Sequence, residues 1–163
     1  MRALNRLKDG IQNVQIMLGL VLIIIFFATI LLQIFSRIAG ISMTWTEDVS
    51  KFSFIWAVFL GSSWAVARDE HFAFTMVLER FNNRNRGILK IIIYLLCMIF
   101  TISILYYGIV VTKQFWNYAW PNIPELKMGW VWLILPLTGL TMTFYLIINI
   151  LNQICIIKNG GSN

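Results

Sequence analysis

Few side chains in this 163-residue sequence could do chemistry, and their spacing gathers none of them into a site. A single histidine, His71, excludes a bis-histidine haem or a His-rich metal site built by this chain alone. The two cysteines, Cys97 and Cys155, sit inside apolar runs and form neither a CxxC device nor a disulfide framework. Two adjacent acid pairs, Glu47-Asp48 and Asp69-Glu70, lack the Asp-rich spacing of a metal-dependent headgroup transferase. No Ser/His/Asp or Cys/His set assembles around His71. Ionisable groups within membrane spans usually mark proton relays or substrate pathways. Here thirteen basic and seven acidic side chains all flank the apolar runs, and none lies near the centre of one. The expectation is a protein that is not an enzyme, with no catalytic residue, no metal and no cofactor.

The elements that carry these residues follow from composition. With 59% hydrophobic and 12% charged residues, the chain is far more apolar than a soluble domain, which runs about 45–50% and about 25%. Its net charge of +6 would suit nucleic acid, but the basic residues bracket apolar runs, so no nucleic-acid partner is expected and membrane lipid is. Charge gaps at 10–36, 52–67, 91–112 and 128–157 locate four spans, approximately 14–36, 48–68, 88–113 and 128–157, in one membrane domain of residues 1–163. About 20 residues cross a hydrocarbon core of about 30 Å. The second gap is short, so Lys51 must snorkel. The fourth is long for one straight crossing, and Pro136 is placed to kink it. The first run is too long for a cleaved signal peptide and reads as a retained anchor.

Lys and Arg counts orient the spans. With the N-terminus in the cytoplasm, nine fall inside (Arg2, Arg6, Lys8, Arg68, Arg80, Arg84, Arg86, Lys90, Lys158) and four outside (Arg37, Lys51, Lys113, Lys127), so both termini are expected inside. Between spans two and three, Phe74, Val77, Leu78 and Phe81 form an i, i+3, i+4, i+7 stripe, which predicts an interfacial amphipathic helix over approximately 71–86. The fold class is thus all-α integral membrane, with four transmembrane helices and that interfacial helix. Pro121 and Pro124 predict an irregular loop over 113–127. Ser53, Ala57, Gly61 and Ala65 recur every four residues in the second span, a small-residue stripe that lets helix backbones approach. It fits either internal packing or an interface with another subunit. Thr44 and Glu47 have the spacing of a capping box. The polar residues Gln33, Ser62, Ser63, Thr101, Ser103, Thr138, Thr141, Thr143, Asn149 and Asn152 fit interhelical hydrogen bonds or the lining of a solute path.

A family resemblance rests on motif order. Thr46-Glu47-Asp48, Phe54-Ile55-Trp56, Phe59-Leu60-Gly61-Ser62-Ser63, Ala67-Arg68 and His71 resemble the central motif of the small membrane subunit of TRAP transporters (DctQ/SiaQ type). Pro124, Leu126, Trp130 and Leu135-Pro136-Leu137 resemble that family's approach to its last helix. After His71 the chain departs from the pattern: Phe72-Ala73-Phe74-Thr75 stands where the family often has an aliphatic-acid run. The resemblance implies a small scaffold subunit in a bacterial inner membrane. It implies two partners, an extracytoplasmic substrate-binding protein and a large elevator-type subunit that imports a carboxylate with sodium, such as sialic acid or a C4-dicarboxylate. Glu47, Asp48, Glu125 and Lys127 then fall at the extracytoplasmic ends of spans, where the binding protein would dock. The alternative is a stand-alone homo-oligomeric four-helix carrier or a redox anchor.

Overall fold

The computed structural model describes residues 2–68 and 83–158. Five helices follow in chain order: α1 Arg2–Ile38, α2 Trp45–Arg68, α3 Asn83–Phe115, α4 Met128–Trp132 and α5 Ile134–Lys158. Four segments are long and apolar enough to cross a membrane: Leu4–Ile38, Trp45–Arg68, Gly87–Phe115 and Met128–Cys155. The all-α membrane architecture with four spans is the one found. The interfacial helix expected at 71–86 lies outside the described residues, except for 83–86, which open α3.

At 37 residues, or about 55 Å, α1 starts twelve residues before the span expected at 14. Its N-terminal turns are held by side chains. Asn5, Lys8, Gln12 and Gln15 repeat with i, i+3, i+7, i+10 spacing and so share one face. From that face Asn5 accepts a hydrogen bond from Asn152 (3.2 Å), Lys8 donates to Asn149 (2.6 Å) and Gln15 donates to Thr141 (3.1 Å). A polar seam therefore extends the helix beyond its apolar run and fastens it to α5.

The helices lie in the order α1–α2–α5–α3: α1 packs along α2, α2 against α5, and α5 along α3. The inner pair bury 39% and 44% of their most apolar stretches, the outer pair 11% each, so α1 and α3 present broad apolar faces outward. The core between the inner helices and α3 holds Val66, Ala67, Tyr94, Met142, Tyr145 and Leu146. Close approach of α3 to α5 depends on two glycines. A Cβ at Gly108 would stand 2.8 Å from the Pro136 nitrogen, and one at Gly139 would stand 2.7 Å from the Leu105 nitrogen. Without those side chains the backbones touch, the route by which membrane helices gain dispersion contact.

The long fourth run breaks between α4 and α5, at Leu133. Proline lacks an N–H, so Pro136 cannot donate to the Trp132 carbonyl as a regular helix would. That carbonyl instead accepts from the Thr112 hydroxyl of α3 at 3.0 Å, and the neighbouring Val131 carbonyl accepts from the Trp56 indole of α2 at 3.0 Å. Side chains of two neighbouring helices thus serve the loosened backbone, the condition under which a break is tolerated in hydrocarbon. The break placed by Pro136 is a junction that ties α2 and α3 to the last span.

Candidate functional site

The end of the layer that carries the α1–α2 turn and the loop before α4, here called the loop end, holds Arg37, Glu47, Asp48, Lys51, Lys113, Glu125 and Lys127. Helix α1 stops there because Gly40 adopts φ 73°, a left-handed conformation that suits glycine. The Gly40 amide bonds the Arg37 carbonyl (3.2 Å) and the Ile41 amide bonds the Ser36 carbonyl (2.9 Å), a Schellman closure of the helix. The turn opens a crevice of about 370 Å³ whose lining includes Gln33, Ser36, Arg37, Thr44 and Glu47. Glu47 pairs with Lys51 at 3.5 Å, both more than half exposed, so the pair contributes little to stability.

Asp48 occupies a different environment. It is fully buried, and its carboxylate accepts from the Asn122 backbone amide at 2.7 Å and the Asn122 side-chain amide at 3.1 Å. Hydrogen bonds to a charged group are worth about 1.5–3 kcal/mol, so this contact anchors the loop on α2. Trp120 adds an edge contact with Phe52 at 4.5 Å. Within the loop, Trp120 and Leu126 are joined by a 2.9 Å backbone bond, Met128 donates to Tyr118 at 2.7 Å, and Ala119 bridges Lys127. The loop is irregular, as its two prolines predict, with its ends paired through the isolated Ala119–Lys127 bridge and its tip held by Asp48.

Of the four residues expected at a docking rim, Glu47, Glu125 and Lys127 are exposed at the loop end and Asp48 is not. Asp48 instead holds Asn122, three residues before Glu125 in the same loop. The small-residue stripe divides as well. Ser53 and Ala57 are buried, and a Cβ on Gly19 of α1 would meet Ala57 at 3.9 Å, so that half packs within the chain. Gly61 and Ala65 are partly exposed, and a Cβ at Gly61 would meet nothing within 4 Å. The stripe thus runs from internal packing onto an open face.

Sequence reasoning missed the hub of the layer. Gln15, buried in α1, accepts from the Tyr145 hydroxyl at 2.7 Å and from Ser63 at 3.3 Å, and donates to Thr141, which lies 2.9 Å from Ser63. One glutamine joins α1, α2 and α5. Thr143 likewise donates to Thr101 of α3 at 3.0 Å, and Asn149 donates to the Val66 carbonyl at 3.2 Å. Ser62, Ser103 and Thr138 bond carbonyls of their own helices. Gln33, by contrast, lines the crevice at the loop end. Among the described residues, no three His, Cys, Asp or Glu side chains gather as a metal site.

A family model described as the DctQ component of tripartite ATP-independent periplasmic transporters matches residues 26–156. The chain belongs to the DctQ family. No match among curated proteins accompanies that family assignment. As a DctQ component it is one membrane part of a three-part transporter, a family of transport components. The matched region runs from within α1 almost to the end of α5 and includes the crevice, Asp48, the loop before α4 and both close-packed glycines. Gln15 lies outside it.

Proposed function

We propose that this DctQ component is the stationary small permease subunit of a sodium-coupled TRAP transporter. In this reading it braces a large elevator-type subunit while that subunit carries a carboxylate, such as sialic acid or a C4-dicarboxylate, across a bacterial inner membrane. The observation that carries the reading is the division of labour within the chain. Gln15, Ser63, Thr141, Thr143 and Asn149 are spent on joining its own helices, whereas only 11% of the most apolar stretch of each outer helix, α1 and α3, is buried. A fixed brace needs rigid joints and wide apolar faces, since membrane helices associate through contact area and packing.

The loop end is the docking surface for the substrate-binding protein, facing away from the cytoplasm with both termini inside. The nine-to-four distribution of Lys and Arg supports that orientation. Docking has to be transient for turnover, so exposed rim charges govern association rate more than tight binding. Reversing Glu125 and Lys127 together tests this. Uptake by reconstituted transporter is expected to fall and its salt dependence to change. Unchanged uptake at every salt concentration would remove the rim from the docking surface.

A further inference from the structure

The crevice at the α1–α2 turn holds opposite charges that do not meet. Arg37 and Glu47 both line its volume of about 370 Å³, yet the ion pair found there is Glu47 with Lys51, through Oε1 at 3.5 Å, which leaves Oε2 available. The Arg37 guanidinium has no partner among the described residues. A second hollow of about 280 Å³, lined by Gln33, Ile34, Arg37 and Ile38, adjoins the first and shares Gln33 and Arg37 with it. The surround is apolar: Ile34, Ile38 and Ile41 are all half or more exposed, Ile38 at 78%. The site thus combines a cation, an anion and a greasy flank at the end of a membrane span.

We propose that this crevice binds a zwitterionic aminophospholipid with the chemistry of phosphatidylethanolamine. The phosphodiester fits the planar guanidinium of Arg37, which recognises phosphate through paired N–H donors. The primary ammonium fits the free oxygen of Glu47 and the hydroxyls of Ser42 and Thr44, while the upper acyl chains lie against Ile34 and Ile38. Glu47 makes a poor neighbour for a free dianion, so charge complementarity selects a lipid with both signs over a soluble carboxylate or phosphate. A choline headgroup brings the same charges without N–H donors, and a glycerol headgroup brings no cation.

The test uses the delipidated full chain in detergent, offered phosphatidylethanolamine, phosphatidylcholine or phosphatidylglycerol at equal concentration, with retained lipid read by native mass spectrometry. Phosphatidylethanolamine is expected to be retained about tenfold over each of the others, the worth of one charge-assisted hydrogen bond. Arg37→Gln should lower its retention about tenfold. Glu47→Gln should erase the preference over phosphatidylglycerol while leaving some retention. Equal retention of the three lipids, or an Arg37→Gln protein that holds phosphatidylethanolamine as tightly as wild type, overturns the proposal. So does an Arg37→Gln protein that retains lipid normally but loses uptake driven by the substrate-binding protein, because the crevice then belongs to a protein partner. Both positions are exposed, and helical circular dichroism checks that each variant is folded.

Discussion

Gly139→Ala should destabilise the chain by about 1–2 kcal/mol, whereas Gly61→Ala should leave it as stable or slightly more so. At position 139 the new methyl would stand 2.7 Å from the Leu105 nitrogen and 2.8 Å from its Cα. Those are backbone atoms with no rotamer to retreat into, so α3 and α5 must part by about 0.7 Å to restore ordinary contact. A gap of that size forfeits about a quarter to a half of the dispersion energy of each facing atom pair. Overpacking of this kind costs about 1–3 kcal/mol, and in hydrocarbon no solvent-driven burial offsets it. The Thr143–Thr101 bond, at 3.0 Å, crosses the same interface and adds about 0.6 kcal/mol if lost. Alanine is the better helix former by about 1 kcal/mol, which offsets part of the cost at 139 and stands alone at Gly61, where a methyl meets nothing within 4 Å. The assay is SDS-driven unfolding of the purified chain in mixed micelles, followed by tryptophan fluorescence. A Gly139→Ala protein as stable as wild type, or a Gly61→Ala protein as damaged as Gly139→Ala, would refute the assignment of close packing to the α3–α5 pair.

Three further outcomes follow from single contacts. Gln15→Leu strands the buried Tyr145 hydroxyl and should cost about 1–3 kcal/mol, while Gln15→Leu with Tyr145→Phe should cost less than the two singles summed, read as a double-mutant cycle in the same unfolding assay. Asp48→Ala releases Asn122 and should raise hydrogen exchange across residues 116–127 while leaving the span helices protected; unchanged exchange would mean the loop closes without its anchor. Reporter fusions after Asn163 should read cytoplasmic and insertions near Asn122 periplasmic, and a periplasmic C-terminus would invert the orientation assigned to the loop end.

The spans could be read in advance because charge is so costly in hydrocarbon that its gaps mark them. The break in the last span was equally legible, since its apolar run is too long for one straight crossing and Pro136 offers a place to interrupt it. The joints were not. Gln15 sits inside a near-continuous apolar run and disappears when spans are located by charge alone. The signal that finds it is the repeat of polar residues at 5, 8, 12 and 15, one face of α1. Small residues recur around Gly61, but a stripe on one helix does not say which face is covered. Gly108 and Gly139 work as a pair on different helices, and no pattern within either run shows that. Asp48 reads locally as an acid favouring a helix N-terminus. Its partner, Asn122, lies 74 positions along the chain, so the anchoring role appears only in three dimensions.

The scaffold reading is tested most directly by purifying the tagged full chain from its native membrane in mild detergent and identifying the associated chains by native mass spectrometry. The account predicts a fixed-stoichiometry complex with one much larger multi-span chain, lost when bulky polar residues replace exposed positions such as Leu18 and Phe27 of α1 or Leu96 and Phe100 of α3. Recovery of this chain only as a homo-oligomer, or with a bound chromophore and no large membrane partner, would contradict it.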